Sequence, residues 1–390
     1  MKTFRRISII LLFSLSTNFI INAQEYNPVY AAIPSLQIGS DARAGAMGDV
    51  GVATQPDVYS QHWNPAKYAA MDETGGVAFS YTPWLRQLVK DIDMVYLSGY
   101  WRFGKNKLNA LSGSLRYFSL GETMVPDLNT HFWETVSPNE FAFDLSYSRK
   151  LNEKFFTAVT MRYIHADYSG GNDYSTPGNA FAMDFSGYFT TPIAIAKRPL
   201  TFAAGIHLSN IGSKISYDGG NTKMFLPANL RLGTSLRYST NSKHLVSLSF
   251  DINKLLVPTP LLPTSADDKE TPEEKQKRID DYFSTSSIAG IFKSFGDAPG
   301  GFKEELQEIM WSLGAEYVYN KQFALRTGYF HENKYKGNRQ YLSLGGGFNV
   351  NAFRLDVAYL IATSPSNPLG QTLRFSLGVS VDRIREWFHK

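Results

Sequence analysis

Histidine is the side chain best suited to moving protons near neutral pH. His62, His131, His165, His207, His244, His331 and His389 are scattered along a chain of 390 residues. None belongs to a His-Glu-x-x-His pair, which would place two metal ligands one helical turn apart, and no Gly-x-Ser-x-Gly elbow lifts a serine above a sheet. A triad drawn from distant strands stays open at this stage, because only space defines it. Gly345-Gly346-Gly347 and Gly219-Gly220 lack the strand-to-helix context of a phosphate loop and read as bulges or places of close backbone approach. Asp267-Asp268 and Asp280-Asp281 do not follow a calcium-loop pattern and read as solvated surface. With no cysteine, thiolate metal sites and disulfides are excluded. The residues therefore point to no catalytic group, no metal and no cofactor, and function must come from surfaces.

The elements that build those surfaces begin with an export signal. Lys2, Arg5 and Arg6 precede an apolar run from Ile7 to Ile21, and Ala23 stands where cleavage is expected, so residues 1–23 read as a signal peptide. Without its three basic residues the formal charge falls from +4 to +1, which gives no global basic field for nucleic acid. No later segment supplies the roughly 18 apolar residues of a membrane helix. A membrane location would then require a closed barrel.

From Gly75 onward the pattern has a period of two over segments of about ten residues, enough for a tilted strand to cross an outer membrane. Leu373, Phe375, Leu377, Val379 and Val381 alternate with Arg374, Ser376, Gly378 and Ser380, and Leu230 to Tyr238 repeats the scheme. About fourteen such segments are found, so the fold class is all-β, a transmembrane antiparallel barrel over 75–382. Arg116, Asp144, Arg162, Asp184, Arg231, Asp251, Glu316, Arg326, Arg354 and Arg374 all fall opposite the large apolar residues, which suits a wet or plugged lumen. Connections alternate between short and long; short turns mark the periplasm and long loops the cell surface. Only Thr191 to Pro199 looks too long for a short turn. Both chain ends are expected on the periplasmic side.

Residues 24–74 lack sustained alternation but hold enough apolar side chains to pack inside the barrel as a plug. The large loop 254–308 opens with Pro258, Pro260 and Pro263, and Thr271-Pro272-Glu273-Glu274 is a capping box that starts a helix toward Tyr282. Trp101 and Trp311 suit aromatic girdles. Trp84, Phe132 and Trp133, with Tyr282, Phe283, Phe292 and Phe295, lie in loops and suit a protein-binding surface. Residues 383–390 read as a short interfacial helix carrying Ile384, Trp387 and Phe388.

The stretch from Gly39 through Ala44-Gly45-Ala46-Met47-Gly48-Asp49, followed by Trp63-Asn64-Pro65-Ala66, resembles the plug signature of FadL-like barrels, and within them the PorV (LptO) family of the Bacteroidetes type IX secretion system. The resemblance spans the mature chain. It implies an integral outer-membrane protein that binds the C-terminal signal domain of secreted cargo. Such a protein carries cargo from the translocon barrel to a PorU-like surface sortase, which attaches it to lipopolysaccharide. Arg43, Gly45, Met47, Gly48, Asp49, Trp63, Asn64 and Pro65 would form the plug. The loops bearing Trp84, Phe132, Trp133, Pro258, Pro260, Tyr282, Phe283, Phe292 and Phe295 would meet cargo or partners. The alternatives are a FadL-like transporter of hydrophobic molecules and a lipopolysaccharide deacylase.

Overall fold

A computed structural model describes residues 27–84, 91–126, 133–169, 176–195, 198–240, 243–259, 271–364 and 370–388. The expected signal peptide lies outside them.

The strands are β1 (Gly75–Pro83), β2 (Ile92–Phe103), β3 (Asn109–Leu120), β4 (Thr123–Pro126), β5 (Trp133–Val136), β6 (Asn139–Lys150), β7 (Phe155–Asp167) and β8 (Gly178–Ile195). They continue with β9 (Arg198–Gly212), β10 (Asn229–Ser239), β11 (His244–Leu255), β12 (Ile309–Tyr319), β13 (Phe323–His331), β14 (Gln340–Val350), β15 (Phe353–Ala362) and β16 (Thr372–Ser380). All except β4 and β5 form one closed antiparallel barrel in which sequence neighbours pair. The seam is closed by β1 and β16, from Gly76↔Ser380 to Tyr81↔Phe375. Closure matters because lipid offers no hydrogen bonds to an open strand edge. The pair β4 and β5 forms a separate hairpin inside the connection from β3 to β6.

The two-residue period sorts the side chains. On β16 Leu373, Phe375 and Leu377 are exposed on the outer face while Arg374 and Ser376 are buried inside. Trp101, Phe155, Phe323 and Phe353 are exposed close to the short turns, as an interfacial girdle requires.

Two expectations are corrected. The segment Thr191 to Pro199 is not a long turn, because β8 and β9 keep pairing as far as Ile195↔Arg198. Pairing of β8 to β7 stops at Phe189, and pairing of β9 to β10 stops at Leu200. Pro192 and Pro199 thus sit on free strand edges, where a missing N–H costs nothing. The N-terminal segment also does not start on the short-turn side. The Asn27 N–H donates to the Tyr335 carbonyl at 2.9 Å and the Ala32 N–H to the Phe225 carbonyl at 2.8 Å, and both partners lie in long connections. From there the chain runs through the barrel to Gly75, where β1 begins beside the short turns. The helix Val381–Phe388 closes the other end of the chain there, with Arg383 paired to Glu73 at 3.1 Å and donating to the Asn351 carbonyl at 3.0 Å.

The absence of cysteine allows a direct test of this path. Tyr30 is 59% exposed. A Tyr30→Cys variant and a Lys275→Cys variant in the large loop should both react with a membrane-impermeant maleimide on intact cells, while Lys321→Cys in a short turn should stay unlabelled until the outer membrane is opened. Labelling of Tyr30→Cys only after opening would contradict the path through the barrel.

Candidate functional site

The segment inside the barrel is held by buried charge. Asp41 caps a short helix, Ala42–Gly45, by accepting from the Ala44 N–H at 2.9 Å, and this turn aims Arg43 at the wall. Arg43 grips Glu316 of β12 through Nε at 3.1 Å and a terminal nitrogen at 3.0 Å, and its remaining nitrogen pairs with Asp57. Glu316 also accepts from Arg326 at 2.7 Å, and Arg326 reaches Asp356 at 2.8 Å. Asp49 pairs with Arg374 of β16 and accepts from the Tyr341 hydroxyl at 2.5 Å. A bidentate arginine sealed from water is strong only while every partner is present.

The other family-signature residues lie in the same interior. Gly48 has a φ of +70°, and a Cβ there would stand 2.7 Å from the Tyr329 backbone. Opposite it, Gly328 has no room either: a Cβ would fall 2.0 Å from the Met47 carbonyl carbon. Gly345 faces Ala46 in the same way, so this member of the triple glycine marks close approach and not a bulge. Gly45 lies against Arg374, and Met47 is buried. The Trp63 indole N–H donates to Asp41 at 2.6 Å. The Asn64 amide donates to the Val52 and Gly187 carbonyls at 3.0 and 2.9 Å, and Pro65 starts the turn Pro65–Ala70.

Two of the spaces left among the described residues bear on the interior. A cavity of about 650 Å³ lies at the short-turn end, with Arg43, Gln55 and Asp57 on one side and Lys321, Asn351 and Arg383 at the rim. A smaller one of about 50 Å³ lies toward the long loops.

The long-loop end is roofed. In the connection from β11 to β12 the capping box is complete, with the Glu274 N–H on the Thr271 hydroxyl at 3.2 Å and the Thr271 N–H on the Glu274 carboxylate at 2.9 Å, and it starts the helix Pro272–Ser284. Ser286 caps a second helix, Ser287–Lys293, and a third spans Phe302–Gln307. Lys254 bridges Glu305 and Glu308 at 3.0 and 2.6 Å, and Lys336 joins Glu304 and Glu308. Burial opposes ionisation of Glu304, but Lys336 outweighs it and holds that carboxyl below its ordinary value. Burial raises Asp297, which accepts from Thr259.

The expected partner-binding residues separate on this roof. Phe292 is 75% exposed, and Phe283 and Phe295 are also open. Trp133 on β5 is 69% exposed. Tyr282 is half-buried against Phe225, and Pro258 is buried. Phe132 and Pro260 lie outside the described residues. Trp84 is corrected: it is only 9% exposed, inside an apolar cluster with Ile38, Met94, Phe330 and Leu360. A tryptophan after a strand reads as a loop residue, and nothing local reveals that the lumen beneath needs a lid. Ile288, Phe302 and Leu306 join the exposed set; the i, i+4 spacing of the last two was the available signal.

The interior also contains a serine, a histidine and an aspartate together. Ser186 Oγ is 2.9 Å from His207 Nδ1, and His207 Nε2 is 3.9 Å from Asp184. His207 is 1% exposed, and Asp184 is engaged by Arg162 at 3.0 Å and by the Asn210 N–H at 2.7 Å. Ser186 is 6% exposed, and Asp184 holds the wall at its bulge by accepting from Asn210.

Removing one partner of the Arg43 cluster should cost more than removing a surface charge. Glu316→Ala is expected to destabilise the folded barrel by about 3–5 kcal/mol, since it takes a shared carboxylate from Arg43 and Arg326 and leaves the buried cluster one anion short, as read from urea unfolding in detergent. Gly328→Ala should cost about 1–3 kcal/mol by overpacking against Met47.

Among solved structures, the chain is similar to the Pseudomonas putida toluene transporter TodX, at 10% identity and a TM-score of 0.48, covering 91% of this chain and 98% of that one. It is also similar to the Ralstonia pickettii toluene transporter TbuX, at 12% identity and a TM-score of 0.41, covering 92% and 97%. A Pseudomonas aeruginosa FadL homologue follows at 11% identity and a TM-score of 0.42, covering 87% and 98%. No curated protein matches the sequence. The model of the family described as type IX secretion system protein PorV matches residues 21–262, more than half of the chain. With a closed barrel and an apolar outer band beside it, this chain belongs to the PorV family and is a type IX secretion component of the outer membrane.

Proposed function

We propose that this chain captures the C-terminal signal domain of secreted cargo on its long-loop face and carries it from the translocon barrel to a PorU-like surface sortase, without catalysis of its own. The observation that carries this reading is the roof. Phe283, Ile288 and Phe292 stand exposed on two helices that are capped at their N-termini, with Phe295 exposed just beyond the second, and the pair is held to the β9–β10 connection by Lys214, which donates to the Phe283 carbonyl at 2.9 Å, and by Phe225 against Tyr282. Apolar side chains held in the open by a rigid support suit a protein partner. A shallow surface of this kind also releases its partner, as a carrier must. In this reading the plug residues keep the lumen shut, the long loops face the cell exterior, and lipopolysaccharide is the destination of cargo and a neighbour of the barrel.

Transport of hydrophobic molecules is disfavoured by the interior. Arg231, Arg339 and Arg374 border the 50 Å³ cavity beneath the roof, where an apolar ligand would need a larger and drier space. Deacylation is disfavoured by the enclosure of Ser186 and His207.

The test is co-purification from cells of cargo signal domain and sortase with the wild-type chain and with a Phe292→Glu/Phe295→Glu variant. Loss of two anchor side chains should lower capture by at least about tenfold, while heat-modifiable migration shows an intact barrel. Undiminished capture would remove the roof from the proposal.

A further inference from the structure

Arg231 on β10 is 7% exposed, and its Nε has no hydrogen-bond partner. It touches His62 Nε2 at 3.4 Å and lies over the face of Trp63 at 5.1 Å. Among the described residues it has no ion-pair partner, unlike Arg43, Arg162, Arg326, Arg339 and Arg374, which all do. His62 cannot supply the missing charge. Its other ring nitrogen is 3.0 Å from a terminal nitrogen of Arg116, so the imidazole stands between two cations and gains nothing by taking a proton.

This guanidinium, which interacts with the carboxylates of Asp251, Asp49 and Asp184 only from beyond ion-pair distance, borders the cavity of about 50 Å³. Arg374, whose Nε also lacks a partner, lines the same space. Asn229 and Asn253 line it too, each with a buried amide oxygen that has no partner, and a half-turn of either amide would present its N–H groups to the space instead. The one carboxylate lining the space, Asp49, is already taken by Arg374 and Tyr341. A buried cation among donors needs a negative partner. A water needs about 10–15 Å³ of such space, so the volume admits a halide-sized ion with one or two waters.

We infer that this cavity is a binding site for a small monovalent anion of halide size, held by Arg231 with Arg374, Asn229 and Asn253. The ion gives Arg231 the contact partner it lacks, and this assignment is independent of the cargo proposal.

Trp63 and Trp84 line the cavity, which makes iodide, a heavy-atom quencher, a suitable probe. In the purified full-length barrel at fixed ionic strength, iodide should produce a saturable loss of tryptophan emission that chloride reverses and gluconate, too large for the space, does not. Arg231→Gln should abolish the saturable part. Asn253→Leu, which keeps the guanidinium, should weaken it at least several-fold, and it decides alone should Arg231→Gln fail to form a heat-resistant barrel. Quenching that is purely linear and indifferent to chloride would overturn the site, as would a saturable part unchanged in whichever variants fold.

Discussion

A backbone crossing a bilayer must pair every N–H and C=O within itself, and for strands that means closure. Closure fixes a width. About eight strands leave an interior that side chains can fill, and more leave a space that must be occupied or flooded. This barrel has the larger kind of interior, and the rest of the molecule answers that fact. Residues from Asn27 to Thr74 supply the filling, and because most wall positions facing them are polar, the filling is bonded as well as packed. Arg43 to Glu316, Asp49 to Arg374 and the Gly51 N–H to Asp251 tie one segment to strands on several sides of the wall.

Polar filling has a cost that apolar filling lacks. Each buried charge requires its complement at a defined distance, which explains why small residues recur where the segment meets the wall. Gly328 and Gly345 remove side chains so that the turn from Ala46 to Gly48 can come close enough for Asp49 to reach Arg374. Steric permission from glycine and electrostatic demand from arginine act on the same few residues.

How much of this could be read beforehand follows from the range of each interaction. The strands were legible because a two-residue period is local, and the helix after Thr271 because its capping box spans four residues. The girdle position of Trp101 followed from the same alternation. The direction of the N-terminal segment was not legible, since it depends on contacts such as Arg43 with Glu316, separated by 273 positions. Trp84 was misplaced for the same reason: its neighbours Ile38, Phe330 and Leu360 come from the N-terminal segment and from distant strands. The exposed roof was half legible. Phe283, Phe292 and Phe295 stood out as loop aromatics, whereas Tyr282 and Pro258, equally visible, turned inward to hold the helices.

The path of the N-terminal segment bears on how the molecule can be made. Its first described residues are fastened among the long loops and its last lead directly into the seam strand β1. A finished cylinder could not be threaded with such a segment, because the folded roof bars one mouth and the strand itself is rooted at the other. A wall wound around the segment, as cloth is wound on a mandrel, with the junction of β1 and β16 as the final stitch, would reach this arrangement without threading.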